Sequence, residues 1–274
     1  MPTLGDALRQ GIDLLSKDEI PSPRLTAEVL LAHAVRKDRT WLYAHPEYTL
    51  SDLEWLHYGR YLHERLGGKP TQYITKVQEW YGRLFRVSPA VLIPRPETEH
   101  VIERALQLGG ERILDIGTGS GAIAVTLALE MKAKVVATDL SIEAVRVARD
   151  NADAFRAEVE FVNCDLASAI AGEFDLVVSN PPYVPDDELP GLQREVRDFE
   201  PRVALDGGEE GLALYRRIIP EAGRLLRRGG HLLFEMGYRS EPGIRASLGP
   251  CWQEIESLHD LAGLPRVLSA RYEP

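Results

Sequence analysis

Three stretches of the 274-residue chain carry residue types and spacings that could do chemistry. The first is Asp115-Ile116-Gly117-Thr118-Gly119-Ser120-Gly121, which follows Arg112-Ile113-Leu114 and opens a helical pattern from Ala122 to Glu130. Glycines there allow positive φ and let a ligand approach the backbone closely. A helix N-terminus adds free N–H groups. The second is Asp139, 18 residues beyond Gly121, at the end of the strand-like run Val135-Val136-Ala137-Thr138. An acid at that place can accept from both hydroxyls of a ribose. The third is Asn180-Pro181-Pro182-Tyr183, after the apolar run Phe174-Asp175-Leu176-Val177-Val178. Two prolines cannot continue a central strand, so the chain must leave the sheet there. Lacking N–H groups, they leave a stiff platform rich in carbonyl acceptors, with one amide side chain and one aromatic ring.

The order of the glycines narrows the ligand. They are spaced GxGxG, not the GxGxxG of a dinucleotide fold, and Asp115 before them suits a cationic ligand better than a pyrophosphate. S-adenosylmethionine carries a sulfonium and an amino group but no phosphate. The reading is therefore a methyltransferase rather than a dehydrogenase. Asp165, after the third strand of the series, could accept from the adenine amino group, and Leu166 could pack on the ring. A loop carboxylate and a core leucine explain those two equally well.

The platform would hold the acceptor. An amide or aniline-like nitrogen is a poor nucleophile because its lone pair is delocalised. Two acceptors, the Asn180 side-chain oxygen and the Pro181 carbonyl, could take hydrogen bonds from both N–H groups. Pro182 stiffens the platform, and Tyr183 could stack on the planar group. Alignment with the S–CH3 bond then supplies much of the catalysis by proximity. No general base is needed beforehand, since the nitrogen becomes acidic only after methylation. An isolated Asn180 would read as a turn residue and Tyr183 as a core aromatic; after a glycine-rich strand unit those readings lose.

Composition bounds the rest. A 44% hydrophobic content suits a globular protein with a full core. No apolar run reaches the ~18 residues of a membrane span, and the start lacks a signal peptide's basic region. Cys164 and Cys251 are isolated and the seven His form no cluster. These features predict a reducing cytoplasmic setting and no metal. The net charge of −10 lies wholly after residue 83, because residues 1–83 hold 11 Lys+Arg against 11 Asp+Glu. Nine acids between 186 and 210 face Arg194, Arg197 and Arg202. Such a balance repels phosphate backbones, and it fits a basic protein partner or simply a solvated loop.

The elements that must position these residues follow from periodicity. Residues 3–67 read as helices, with Leu4, Leu8, Ile12 and Leu15 in one stripe and Leu25, Val29, Leu30 and Ala34 in a second after Ser22-Pro23. Ser51 is a plausible N-cap for a third helix with Leu53, Leu56, Tyr61 and Leu62 as core positions, closed by Gly67-Gly68. Residues 70–93 alternate around Gly82 and predict a β-hairpin. Thr98, after the rigid Ile93-to-Glu97 linker, could cap a helix formed by Val101, Ile102, Ala105 and Leu106. Strands are predicted at 112–116, 134–138, 159–163, 174–179 and 230–235, with helices near 121–131, 141–153 and 211–227. A closing antiparallel pair is predicted at 252–258 and 266–271. This alternation predicts an α/β, doubly wound, mostly parallel sheet of seven strands. It implies three parts: a small helical docking domain at 1–68, a hairpin and linker at 69–97, and the catalytic domain at 98–274.

Taken together, Asp115-to-Gly121, Asp139 and Asn180-to-Tyr183 resemble the class I, Rossmann-like methyltransferases that modify planar nitrogen. The linker Ile93-Pro-Arg-Pro-Glu-Thr-Glu99 and the stretch Glu200-Pro-Arg-Val-Ala-Leu-Asp-Gly-Gly208 are more diagnostic. With the helical N-terminal part, nearly the whole chain resembles peptide chain release factor N5-glutamine methyltransferases of the PrmC/HemK type. The resemblance implies N5-methylation of the glutamine in the Gly-Gly-Gln (GGQ) motif of bacterial release factors, with S-adenosylhomocysteine as product. It places Gly117 to Gly121, Asp139, Leu166 and Asn180 around the cofactor and Asn180 to Tyr183 around the glutamine amide. Leu166 stands where the family often has an aromatic residue. Glu235-Met236-Gly237-Tyr238 matches only in part, and Glu235 is assigned no role. The acids of 186–210 could steer a basic GGQ domain. The rival reading is an amino-methyltransferase acting on a flipped base, which would show a basic groove. A non-catalytic cofactor-binding module would not need the platform.

Overall fold

The computed structural model describes residues 1–260 and 262–274. The chain divides into two compact units: Met1–Val77 with Gln193–Phe199, and Gln78–Leu192 with Glu200–Pro274. The return of residues 193–199 to the first unit is long-range and has no signature in local pattern.

The first unit is helical: α1 (Leu4–Lys17), α2 (Pro23–Val35), α3 (Arg39–Ala44), α4 (Asp52–Leu66) and α5 (Thr71–Thr75). Ser51 starts α4 with a full capping box, Glu54 accepting in return from the Ser51 N–H at 2.8 Å. The buried face of α4 is Tyr58, Tyr61, Leu62 and Arg65. Leu53 and Leu56, expected in the core, lie off that stripe and are 60% and 67% exposed. Leu25 of the second predicted stripe is also exposed. The short α3 was not predicted; Asp38 caps it, accepting from the Trp41 N–H at 2.7 Å. The α5 turn replaces part of the predicted hairpin. Tyr73, Ile74 and Thr75 are buried in succession, which a strand with one buried face cannot achieve.

Next along the chain is a tight hairpin, β1 (Val77–Trp80) and β2 (Arg83–Arg86), shorter than predicted. Tyr81 and Gly82 both take positive φ, the geometry of a two-residue hairpin turn. The linker ends in a 3₁₀ turn, Pro96–Thr98, that runs into α6 (Glu99–Leu108). Thr98 therefore already has helical dihedrals and makes no capping bond, contrary to the expectation. Its side chain is buried.

The remaining strands are β3 (Arg112–Ile116), β4 (Lys134–Asp139), β5 (Val159–Asn163), β6 (Phe174–Ser179), β7 (Leu226–Glu235), β8 (Trp252–His259) and β9 (Pro265–Tyr272). They form one seven-stranded sheet in the order β5-β4-β3-β6-β7-β9-β8. All pairs are parallel except β7 with β9 and β9 with β8. The mostly parallel doubly wound sheet is as predicted. Core side chains pack on both faces, against α6, α7 (Ala122–Met131) and α8 (Ile142–Phe155) on one side. The helices Ala213–Leu225 and Glu241–Ser247 cover the other. The chain runs outward from β3 through β4 to β5, then resumes on β3's other side with β6 and β7. The switch point of the sheet thus lies between β3 and β6, where ligands bind in open α/β sheets.

Candidate active site

Strand register sets the geometry. Ile116 pairs with Thr138 on one side and with Ser179 on the other. Gly117 and Asn180 therefore leave the sheet side by side, and Asp139 emerges at the same level. A cavity of about 590 Å³ opens there. Gly117, Thr118, Gly119, Ser120, Asp139, Asp165, Leu166, Asn180 and Pro182 line it. Asp115, Gly121, Pro181 and Tyr183 adjoin lining residues in sequence without being among them.

On the cofactor side the loop is built by local bonds. The N–H groups of Gly117 and Thr118 both donate to the Thr138 carbonyl at 2.9 Å. Asp139 accepts from Gly119 N–H at 2.9 Å and from Ser141 N–H at 2.8 Å. Each carboxylate oxygen keeps a further lone pair for a ligand hydroxyl. Gly121 has φ +80°, and a Cβ there would sit 3.1 Å from that of Ala148, so α8 can close on the loop only over glycine. Asp115 is fully buried beneath; the Thr118 hydroxyl donates to its Oδ2 at 2.7 Å, while Oδ1 makes no hydrogen bond among the described residues. Burial, with a lesser push from the Asp139 charge, raises its pKa to about 7. An orphaned buried carboxylate oxygen beside a glycine cradle and a ribose-type acid fits a cationic nucleoside ligand. Asp165, expected at an adenine amino group, is held by Arg217 at 2.6 Å at the cavity rim.

On the acceptor side the bonds are long-range. The Asn180 Nδ2 donates to the Thr98 hydroxyl at 3.3 Å. Tyr183 turns its hydroxyl to Glu235 Oε1 at 3.3 Å. The backbone after Tyr183 pairs with the 205–207 segment: Val184 N–H donates to Leu205 and Gly207 N–H to Val184. The segment approaches so closely that a Cβ on Gly211 would lie 2.2 Å from the Tyr183 carbonyl oxygen. Glu235 ends β7 fully buried, its pKa raised to about 7 mainly by burial, with the nearby Thr98 and Tyr183 hydroxyls opposing.

The two flanking motifs meet in space. Glu200, buried, pairs with Arg95 and accepts from the Ile93 N–H at 3.3 Å, while Trp80 Nε1 donates to the Arg95 carbonyl at 2.8 Å. These bonds hold the 93–98 strap over the cavity, which Pro94, Arg95 and Thr98 line. Sequence reasoning gave no site role to Thr98, Glu235, Arg217 or Leu140, although Leu140 follows Asp139 into the cavity wall, 60% exposed. A polar residue at the carboxyl end of a strand was the available signal for Glu235. Among the described residues no cluster of His, Cys, Asp or Glu could hold a metal ion, and no helix is long and apolar enough to cross a membrane.

The sheet order and the site at its switch point define a class I methyltransferase fold. Residues 98–191 match the family model described as methyltransferase small domain, and residues 6–75 match the PrmC N-terminal domain. Among solved structures, a methyltransferase from Pyrococcus furiosus superposes with a TM-score of 0.56 at 20% identity, covering 71% of this chain and 91% of that one. A 16S rRNA N2 methyltransferase of T. thermophilus, in complex with AdoMet and guanosine, gives 0.53 at 20% identity, covering 72% and 50%. At such identity these likenesses show the fold. The release factor glutamine methyltransferase of Koribacter versatilis (strain Ellin345) is 45% identical over 276 residues, covering 98% of both chains. That of Nitratidesulfovibrio vulgaris is 40% identical over 280 residues, covering 98% of this chain and 95% of its own. The chain belongs to the release factor glutamine methyltransferase family.

Proposed function

We propose that this protein methylates the side-chain amide nitrogen (N5) of the glutamine in the GGQ motif of peptide chain release factors. The observation that carries the reading is the meeting, around one cavity, of the Gly117–Gly121 loop and Asp139 with the Asn180 platform. S-adenosylmethionine, when bound, supplies the activated methyl group. Asp139 would take its ribose hydroxyls, the Gly117–Gly121 loop would approach its amino-acid end, and Asp115 would supply negative charge beneath. Leu140 and Leu166 offer apolar surface for a base. Asp165 would contact the adenine only by sharing its carboxylate with Arg217.

The Asn180 Oδ1 and the Pro181 carbonyl would accept from the two N–H groups of the glutamine amide. That fixes the nitrogen and raises its electron density. Pro182 forms part of the wall, and Tyr183 orders the platform's far end. The helical unit is the candidate docking module for the release factor. A base in nucleic acid is the less favoured acceptor because the net charge is −10 and the platform is followed by Asp186, Asp187 and Glu188. The test incubates the purified protein with labelled S-adenosylmethionine and, separately, release factor, DNA and ribosomal RNA. Label is expected on the release factor glutamine. Label on nucleic acid alone would overturn the reading.

A further inference from the structure

We propose that the Arg65–Glu195 ion pair is a positioning device for methyl transfer, fixing the acceptor side of the cavity by holding the chain just before it. The inference rests on the cavity's proposed role and gives the helical unit a part in the chemical step, beyond docking.

Arg65 is a buried cation that needs a distant partner. It sits in the last turn of α4 and is 4% exposed. Its Nη1 donates to the Lys69 carbonyl at 3.4 Å, and its Nε makes no hydrogen bond among the described residues. Among those residues its carboxylate partner is Glu195, whose Oε2 lies 2.5 Å from Nη2. A buried guanidinium left without its carboxylate is strongly disfavoured, so the end of α4 is complete only with Glu195 in place.

Glu195 belongs to the short helix α9 (Arg194–Phe199), part of the helical unit. Six residues are too few for a helix to hold itself in water. None of its side chains is buried, so apolar packing does not hold it either. Polar contacts remain: Arg65 on Glu195, and Arg194 laid across Gly68. A Cβ on Gly68 would come within 2.9 Å of the Arg194 Nε, and its φ of +97° already favours glycine.

The chain leaves α9 straight into the cavity wall. Glu200 comes five residues after Glu195, a rise of about 7.5 Å along a helix. It is buried, pairs with Arg95 and accepts from the Ile93 N–H at 3.3 Å. Pro201, Arg202, Val203 and Ala204 line the cavity immediately beyond. The Leu205 carbonyl then accepts from the Val184 N–H at 3.0 Å, one residue past the platform. Glu195 and Glu200 are thus the two pinned ends of one short, stiff piece. Arg95 pins the end at the cavity and Arg65 pins the other. With Arg65 or Glu195 gone, any play in α9 is carried into the wall beside the Asn180 platform. The Gly117–Gly121 loop and Asp139 are held by their own bonds and should not feel it.

The experiment uses the full-length protein, release factor and labelled S-adenosylmethionine. It measures kcat, KM for the release factor and cofactor Kd for wild type, Glu195→Ala, Glu195→Gln, Arg65→Met and the double variant Arg65→Met/Glu195→Ala. If the helical unit served docking alone, losing the pair would raise KM, and saturating release factor would restore the rate. The proposal expects the other split. In Glu195→Ala, kcat at saturating release factor should fall on the order of 10- to 100-fold, as for a reacting group displaced by up to about 1 Å, with cofactor Kd nearly unchanged. The double variant should be no slower than Arg65→Met, because the two residues act as one unit. Wild-type kcat in Glu195→Ala overturns the proposal. So does an equal weakening of cofactor binding, and so do losses that multiply in the double variant. Should Arg65→Met fail to fold, Glu195→Gln decides: it keeps an acceptor for Arg65 and should recover part of the loss, and no recovery overturns the proposal. Wild-type enzyme that labels only another acceptor sinks the functional reading instead. The same variants are then measured at saturation with that acceptor, where an unchanged kcat overturns the role of the pair.

Discussion

The two walls of the cavity are built by different means. The cofactor wall is local: Asp115, Gly117 to Gly121 and Asp139 lie within 25 residues, and its bonds run between neighbouring strand ends. The acceptor wall is assembled from afar. Asn180 meets Thr98 across 82 residues of sequence, Tyr183 meets Glu235 across 52, and Glu200 reaches Ile93 across 107. A local wall can form as soon as its βαβ unit forms. The long-range wall exists only when β6, β7, the strap and the 205–211 segment are all in place, so it should be the more easily damaged. On the proposed reading, the substrate amide is held by the more fragile half.

The difference predicts separable losses. Asn180→Ala should lower methyl transfer by about 100- to 1,000-fold, the scale for removing a hydrogen bond to the reacting group, while cofactor Kd changes far less. Asp139→Ala should do the reverse and show mainly in cofactor Kd, read by calorimetry. Equal loss of both functions in either variant would mean the two walls are one unit.

Next in size is Gly211→Ala. Its φ of +68° already disfavours a side chain, and the new Cβ would strike the Tyr183 carbonyl oxygen. Something must move, and the platform backbone is the nearest atom. Transfer should fall about 100-fold, the effect of a roughly 1 Å misplacement, with cofactor affinity preserved. A variant that binds cofactor poorly but transfers normally once saturated would reverse the assignment.

The same contrast explains what could be read from the residues alone. Asp115-to-Gly121, Asp139 and Asn180 were legible because each is a local pattern at a strand end, and the seven strands were legible from alternation. Thr98 was visible but misread as a cap, because its side-chain partner lies far along the chain at Asn180. Glu235 was visible and left without a role, since nothing in its neighbours along the chain announces a buried carboxylate. In the helical unit, Leu53 and Leu56 fit a helical period yet face out, because periodicity does not say which stripe the other helices will cover. The acids of 186–210 also change meaning. Glu188, Glu195, Asp198, Glu200, Asp206 and Glu210 each pair with an arginine. Only Asp186, Asp187 and Glu209 then remain for long-range steering, so the salt dependence of release factor binding should be shallow.

Asp115 gives the cofactor wall a pH signature. With its pKa raised to about 7, it is neutral in acid and charged above neutrality in the empty protein. A cationic ligand favours the charged form, so binding should release a proton. Cofactor affinity should rise by up to about tenfold per pH unit below 7 and level off above it. Asp115→Asn should bind more weakly and lose the slope. Calorimetry in buffers of different ionisation heat reads the proton directly; no proton release at pH 6.5 would remove Asp115 from the ligand's field.

The smallest effect falls on the acceptor wall and concerns stability. Glu235 has a folded pKa of about 7 against an ordinary 4.5, so the folded state binds its proton more tightly than the unfolded state. Stability from this group is therefore present below pH 4.5 and is lost as pH rises from there to about 7. Glu235→Gln removes that loss, leaving an uncharged side chain of the same shape. The variant should gain on wild type as pH rises, by on the order of 1–2 kcal/mol at pH 8, since each pKa unit is worth about 1.4 kcal/mol and the new amide is imperfectly bonded. For a chain of this size that is a few degrees in Tm. The gain should vanish near pH 4.5. A variant less stable than wild type at pH 8 would show that the carboxylate is better solvated than its burial indicates, and that the acceptor wall carries its charge without cost.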